Sequence, residues 1–202
     1  TCKGTIRKLD AFSTALEIPL AGSVKLDGSI KGDSRRTEYQ VLLTSEILEI
    51  CGQNLNELNI QSSFTQSPKF RGETRATFEL GESSLKSRAR FEFIDNGLRI
   101  SELNIEGFNS SLNGLLVLNW IGSVPVIDGT VRLKCRDLSL PASYFDTTLS
   151  GSADAELSLQ AFDGIQSAKL QMAGTKLKLK LPDSPSIKVD NLETTLSSSH
   201  LR

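Results

Sequence analysis

Apolar and polar residues take turns along most of this chain, and only β-strands with one dry and one wet face satisfy such a period. The pattern is plainest where Leu85, Ser87, Ala89, Phe91 and Phe93 alternate with Lys86, Arg88, Arg90 and Glu92. Leu177, Leu179 and Leu181 alternate in the same way with Lys176, Lys178 and Lys180. Val24-Leu26, Leu58-Ile60-Ser62-Phe64, Thr74-Ala76-Phe78-Leu80 and Leu116-Leu118-Trp120 continue it, as do Val131-Leu133-Cys135, Ala153-Ala155-Leu157-Leu159-Ala161 and Ala168-Leu170-Met172. Asp27-Gly28, Asn96-Gly97, Asn113-Gly114, Asp128-Gly129 and Asp163-Gly164 read as tight turns between these segments. The sum is roughly a dozen or more strands, mostly antiparallel neighbours.

Two segments depart from the pattern. Arg36 to Gly52 sets Tyr39, Leu43, Ile47 and Ile50 at helical spacing, but its strand-like flanks favour two short strands. Leu140 to Leu149 breaks the alternation and reads as a loop or a single helical turn. No Pro/Gly/Ser-rich linker interrupts the chain, so residues 1–202 read as one continuous module. A first residue Thr1 rather than Met suggests a piece of a longer protein.

Repetition is the second signal. Glu57-Leu58-Asn59-Ile60 recurs as Glu102-Leu103-Asn104-Ile105, 45 residues on, and Leu192 lies 89 residues beyond Leu103. Asp27-Gly28-Ser29-Ile30-Lys31 is echoed by Asp128-Gly129-Thr130-Val131-Arg132. A stack of short hairpins is the simplest architecture that produces such echoes.

Chemistry that the sequence lacks narrows the function. With 23 basic and 24 acidic side chains there is no field or dense basic patch to gather nucleic acid. The longest apolar stretch, Leu112 to Val126, is interrupted by Asn113, Asn119 and Ser123, short of a membrane-spanning helix. Cys2, Cys51 and Cys135 are scattered and odd in number, which rules out a zinc pair and a disulfide-stapled scaffold. The one histidine, His200, has no partner for base catalysis or metal binding and reads as an exposed terminal residue. Gly22 to Lys31 has the wrong spacing for a phosphate loop and reads as a strand, an Asp-Gly turn and a strand. Ser197-Ser198-Ser199 lacks a nucleophile elbow, and Asn109-Ser110-Ser111 matches a sequon too common to carry weight. No catalytic residue, metal or cofactor is expected, and the chain does not read as an enzyme. Trp120 is either a core anchor or an aromatic at the rim of an apolar surface. The Lys176, Lys178 and Lys180 comb reads first as charge that discourages edge pairing, and second as a contact for anionic headgroups.

Alternation alone also suits a sealed β-sandwich. Against that, aromatics are only 6% of residues and slim aliphatics dominate the dry face. The favoured architecture is therefore all-β: mainly antiparallel, repetitive strands curled into an open, taco-like groove, with a β-sandwich as the alternative. At a spacing of ~4.8 Å, about 14 strands extend such a trough by roughly 65 Å. An acyl chain suits it, because a tail of about 16 carbons costs on the order of 12 kcal/mol in water. The positions expected to line the groove are Leu58, Ile60, Phe64, Phe78, Leu80, Phe91, Phe93, Ile100, Leu103, Ile105, Leu116, Leu118, Leu133, Leu157, Leu159, Leu170, Leu177 and Leu179. The competing functions are a β-sandwich or solenoid binding or adhesion module, and an outer-membrane barrel, the latter weakened by missing aromatic girdles.

Leu98 to Leu118 (LRISELNIEGFNSSLNGLLVL) resembles the strand–strand–turn unit of the TamB/AsmA-like proteins. The stretch from Val126 to Leu159 (VIDGTVRLKCRDLSLPASYFDTTLSGSADAELSL) is similar to their manner of closing one repeat and opening the next, and Gly22 to Gly32 (GSVKLDGSIKG) fits the same opening. The resemblance spans roughly residues 20–196 and implies a repeating β-groove in the Gram-negative periplasm, anchored to the inner membrane through a region outside this sequence. The implied partners are phospholipid acyl chains and an outer-membrane assembly β-barrel protein. The implied role is carrying phospholipid between inner and outer membranes, or assisting outer-membrane protein assembly as part of a translocation and assembly module.

Overall fold

The computed structural model describes residues 1–11, 13, 18–33, 35–121, 124–142, 148–162, 165–180 and 186–201, excepting the side chains of residues 121, 124 and 199–201. The chain divides into two units, residues 1–93 and 94–202. The first holds β1 (Cys2–Ile6), β2 (Leu20–Gly22), β3 (Val24–Gly32), β4 (Thr37–Ile50), β5 (Gln53–Gln66), β6 (Phe70–Leu80) and β7 (Ser83–Ile94). The second holds β8 (Gly97–Gly107), β9 (Ser110–Ile121), β10 (Val124–Cys135), a one-turn α1 (Ser139–Ala142), β11 (Thr148–Phe162), β12 (Ile165–Lys180) and β13 (Ile187–Leu201).

Both units are antiparallel meanders. In the first, strands run β1-β3-β4-β5-β6-β7, with β2 also on β4; in the second they run β8-β9-β10-β11-β12-β13. β1 pairs only with β3 and β13 only with β12 among the described residues, so each unit keeps an unpaired strand edge. Among the described residues no second sheet covers either unit, so the sandwich alternative describes neither. The fold is all-β with antiparallel strands in sequence order, as the alternation requires.

The strands are longer than the sequence suggests, because three of the expected turns lie inside them. Asp27-Gly28 is mid-β3, Asn113-Gly114 mid-β9 and Asp128-Gly129 mid-β10. Gly22 to Lys31 is accordingly no strand–turn–strand unit: its Asp-Gly pair runs straight through β3. Gly129 is there for a different reason: at φ 143°, a Cβ would stand 2.1 Å from the Leu115 carbonyl oxygen. A Cβ at Gly114 would meet the Thr130 oxygen at 2.9 Å, so it too permits close strand approach. The β8–β9 turn falls instead on Phe108 (φ 52°) and Asn109 (φ 53°), and the β4–β5 turn on Cys51 (φ 51°) and Gly52 (φ 77°). Two consecutive left-handed residues are what a tight hairpin turn of this hand demands. Asn96-Gly97 does mark the β7–β8 connection, while Asp163-Gly164 and Leu181 lie outside the described residues.

Arg36 to Gly52 is one long strand, not two. Its helical spacing comes from a bulge: Tyr39, Val41 and Leu43 share a face with Leu48 and Ile50, so the side-chain parity flips between Ser45 and Leu48. Buried Ser45 sits at the flip, its hydroxyl 2.7 Å from the Ser23 carbonyl and 3.0 Å from the Ile47 carbonyl, so its one hydrogen is shared between them. Across from it Glu57 is left-handed (φ 52°), beside a register shift between Asn56 and Asn59. The repeated tetrapeptide does the same in the second unit, where Glu102 (φ 57°) accompanies a shift between Ile100 and Leu103. Leu140 to Leu149 includes the end of α1, whose Ala142 N–H donates to the Leu138 carbonyl, and the start of β11.

Candidate functional site

Residues directly opposite in an antiparallel ladder share a face, so the registers assemble each face row by row. In the first unit one row reads Ile30, Tyr39, Phe64, Gly72 and Phe91. The next reads Gly28, Val41, Ser62, Thr74 and Ala89, and the next Leu26, Leu43, Ile60, Ala76 and Ser87. Beyond these come Leu58 and Phe78 with Leu85, then Leu48, Leu55 and Leu80. None of these rows contains Asp, Glu, Lys or Arg. The charges stand on the other face, for example Arg71 against Glu92, Glu73 against Arg90 and Thr77 against Lys86.

The second unit repeats the separation. Its rows are Leu98, Leu118 and Ile127; Ile100, Leu116, Gly129, Leu159 and Ala168; and Leu103, Gly114, Val131, Leu157, Leu170 and Leu196. A further row holds Ile105, Leu112, Leu133, Ala155, Met172 and Thr194. Left-handed Lys176 (φ 52°) marks a flip, after which Leu177 and Leu179 pair with Val189 and Ile187 on that face. These rows too are free of charge. Arg132, Lys134, Asp154 and Glu156 occupy the opposite face, along with a minority of apolar residues such as Leu115 and Val117.

All the positions expected to line a groove, from Leu58 to Leu179, therefore stand on the charge-free faces of their units. The structure adds others to these faces, among them Leu26, Ile30, Leu48, Leu55, Leu112 and Val131, and also Tyr39, Leu43 and Phe70. Tyr39 and Leu43 were hidden by the bulge that mimics helical spacing. Phe70 was in phase with Thr74, Ala76 and Phe78 and was legible as the start of that strand.

Few of these side chains are enclosed. Among the described residues only Val24, Leu48, Leu58, Val126, Cys135 and Ala142 are buried apolar residues, while Phe93 stays 50% exposed. Trp120 is 48% exposed, at the end of β9 opposite Pro125, so it is no core anchor. The chain exposes 14024 Å². A compact monomer of 22.0 kDa exposes about 9,300 Å². An interior sealed from water does not leave that much surface.

The two faces differ in chemistry. On the first unit's apolar face, Phe64 stacks on Phe70 at 5.6 Å between ring centroids, and Phe70 meets Phe93 edge-on at 5.4 Å. Gly72 lies beneath: a Cβ there would come within 2.8 Å of both the Phe64 and Phe91 rings. Beside the rings, the Ser62 and Thr74 hydroxyls satisfy one another at 3.0 Å. On the charged face Glu73 binds Arg75, Arg88 and Arg90, with Arg88 contributing two hydrogen bonds. The Arg88 hydrogen bonds above all hold the Glu73 carboxyl down at about 2; burial pushes it up, and the bonds from Arg90 and Arg75 add to the lowering. Recesses of about 560 and 540 Å³ also open on the charged faces, the first lined by Asp27, Gln40, Gln61, Glu73 and Arg75 and the second by Arg132, Asp154, Glu156 and Glu193. Charged-face residues dominate both linings, but the apolar rows contribute too, Val41 and Ser62 to the first and Leu133, Ala155, Met172 and Thr194 to the second.

Among the described residues, no group of three His, Cys, Asp or Glu could hold a metal ion, and the cysteines are free, Cys2 and Cys51 exposed and Cys135 buried. No described helix is long and apolar enough to cross a membrane. The His200 side chain lies outside the described residues. No protein-family model, curated protein or solved structure matches the chain.

Proposed function

We propose that this chain is a segment of a lipid-conducting surface, whose charge-free strand faces carry phospholipid acyl chains between the inner and outer membranes of a Gram-negative envelope. The observation that carries the reading is the unbroken absence of charge from row after row of half-exposed apolar side chains. Exposed apolar area of this extent costs solubility and is retained where something docks on it. An acyl chain asks only for continuous dry surface, because its methylenes need no hydrogen-bond partner and each gains ~0.8 kcal/mol by leaving water. The envelope setting and the direction between membranes rest on the resemblance to the TamB/AsmA-like proteins. In this reading the chain does no chemistry on its cargo, and its neighbour at the outer membrane is an assembly β-barrel protein.

The test is uptake of a fluorescent fatty acid by the purified chain, with native mass spectrometry for co-purifying phospholipid. The parent chain should bind saturably and carry lipid. Phe91→Glu and Leu118→Glu should each weaken uptake about tenfold or more while retaining β-sheet circular dichroism, because an ionised group amid acyl methylenes is poorly solvated. A parent chain that takes up no probe, or variants that simply unfold, would sink the idea.

A further inference from the structure

We propose that the end of the β12–β13 hairpin, where Lys180 and Ile187 lie, is a docking surface for an anionic lipid bilayer. Lys176, Lys178 and Lys180 are all exposed along β12. The register sets Lys188, also exposed, directly across from Lys178. On the other side β11 offers hydroxyls rather than carboxylates, Ser150 against Lys178 and Thr148 against Lys180. None of the four lysines forms an ion pair with a described residue. Among the described residues Asp190 is the one acid in register with them, at the level of Lys176.

What distinguishes the cluster is a facing like-charge pair, Lys178 and Lys188, with no ion-paired acid among the described residues. Elsewhere in register, Lys3 meets Asp27, Arg132 meets Glu156, and Glu73 gathers three arginines. Like charges placed directly opposite weaken a sheet. A cluster kept in that state is relieved by anions from outside. The other face of the same strand ends says which anions: Leu149 pairs with Leu179, Leu177 with Val189, and Ile187 is 54% exposed. Apolar residues on one face and lysines on the other suit the boundary between acyl chains and anionic headgroups. A polynucleotide has no use for the apolar half. With a net charge of −1, attraction is confined to this local patch. The inference goes beyond lipid conduction, since docking needs no movement of lipid along the strands.

Co-sedimentation of the whole chain with vesicles decides it. Phosphatidylcholine vesicles with about 30% phosphatidylglycerol should bind the chain, and pure phosphatidylcholine vesicles should not. Lys178→Gln with Lys188→Gln should cut binding to the anionic vesicles about 25-fold, at about fivefold per lysine. A control pair elsewhere on the charged faces, Lys25→Gln with Lys86→Gln, should leave binding unchanged. Equal binding to neutral vesicles, parent-like binding by the Lys178/Lys188 pair, or an equal loss in the control pair would overturn the proposal. So would a lysine-dependent affinity for inorganic phosphate or for a short DNA duplex as strong as that for the vesicles. Fatty-acid uptake should survive in the Lys178/Lys188 variant and fail in Phe91→Glu, so docking and conduction fail separately.

Discussion

In residues 1–93 the charge-free face is stiffened by rings: Phe64, Phe70, Phe91 and Phe93 touch in sequence, and two of them close over Gly72. In residues 94–202 the equivalent rows hold Leu, Ile, Val, Ala and Met, and glycines rather than rings set the fit. Gly129 lets β10 press against the Leu115 carbonyl, and Gly174 admits the Leu177 side chain. Rings hold few rotamers and resist rearrangement, whereas aliphatic and thioether side chains re-pack at small cost. The contrast assigns the first unit a rigid apolar surface and the second a pliable one, reached by different substitutions from the same two-sided pattern.

The largest expected effect falls on a second-unit glycine that has no room for a side chain. Gly129→Ala puts a methyl 2.1 Å from a backbone oxygen at φ 143°, and should cost about 3 kcal/mol or more. Chemical denaturation measures the loss, and hydrogen exchange should place it within 94–202. A cost under about 1 kcal/mol would mean that β10 yields easily and that backbone approach does not set the fit. In the first unit the matching change is Gly72→Ala, where two of the three close neighbours are ring carbons and the third is the Ser63 carbonyl at 2.6 Å. Because rings tilt more readily than backbone moves, about 2 kcal/mol is expected. If Gly72→Ala proved costlier than Gly129→Ala, the rings would yield less than the β10 backbone, and backbone approach would not be the stricter constraint.

Much of this surface was legible from alternation alone, because strand side chains point to opposite faces by geometry and need no tertiary information. Phe91, Phe93, Leu116 and Leu118 fall where period two puts them. What was not legible is where the period slips. Tyr39, Leu43 and Ile50 look helical only because Ser45 to Leu48 carries a bulge, and a bulge adds a residue without a sequence signature of its own. The Glu57 and Glu102 repeats mark two such irregularities, yet the tetrapeptide alone does not say that its glutamate is left-handed. Asp-Gly and Asn-Gly misled for a related reason. Glycine serves a tight turn and a close strand contact equally well, and only the partner strand distinguishes them. The lysine cluster needed the same information: Lys188 joins Lys178 through a pairing that bridges a connection between strands.

The smallest expected effect tests the charged side of the comparison. The first unit has an ion-pair cluster behind its rings, with Glu73 between Arg88 and Arg90 on β7 and Arg75 on its own strand. Removing the carboxylate leaves Arg75 directly opposite Arg88, a like-charge pair without its counter-ion. Glu73→Gln should cost about 1 kcal/mol at neutral pH, a modest value because the arginines are well solvated. The pH dependence identifies the cause. The Glu73 carboxyl is held at about 2 in the folded chain, below its ordinary 4.5. The stabilisation is therefore complete above 4.5, where the carboxyl is ionised in both folded and unfolded chains. It is lost as acid protonates the unfolded chain first and then, near 2, the folded one. Parent and Glu73→Gln stabilities should accordingly converge between those values. A difference that persisted unchanged into strong acid would show that Glu73 acts through packing, leaving no electrostatic contrast between the two units.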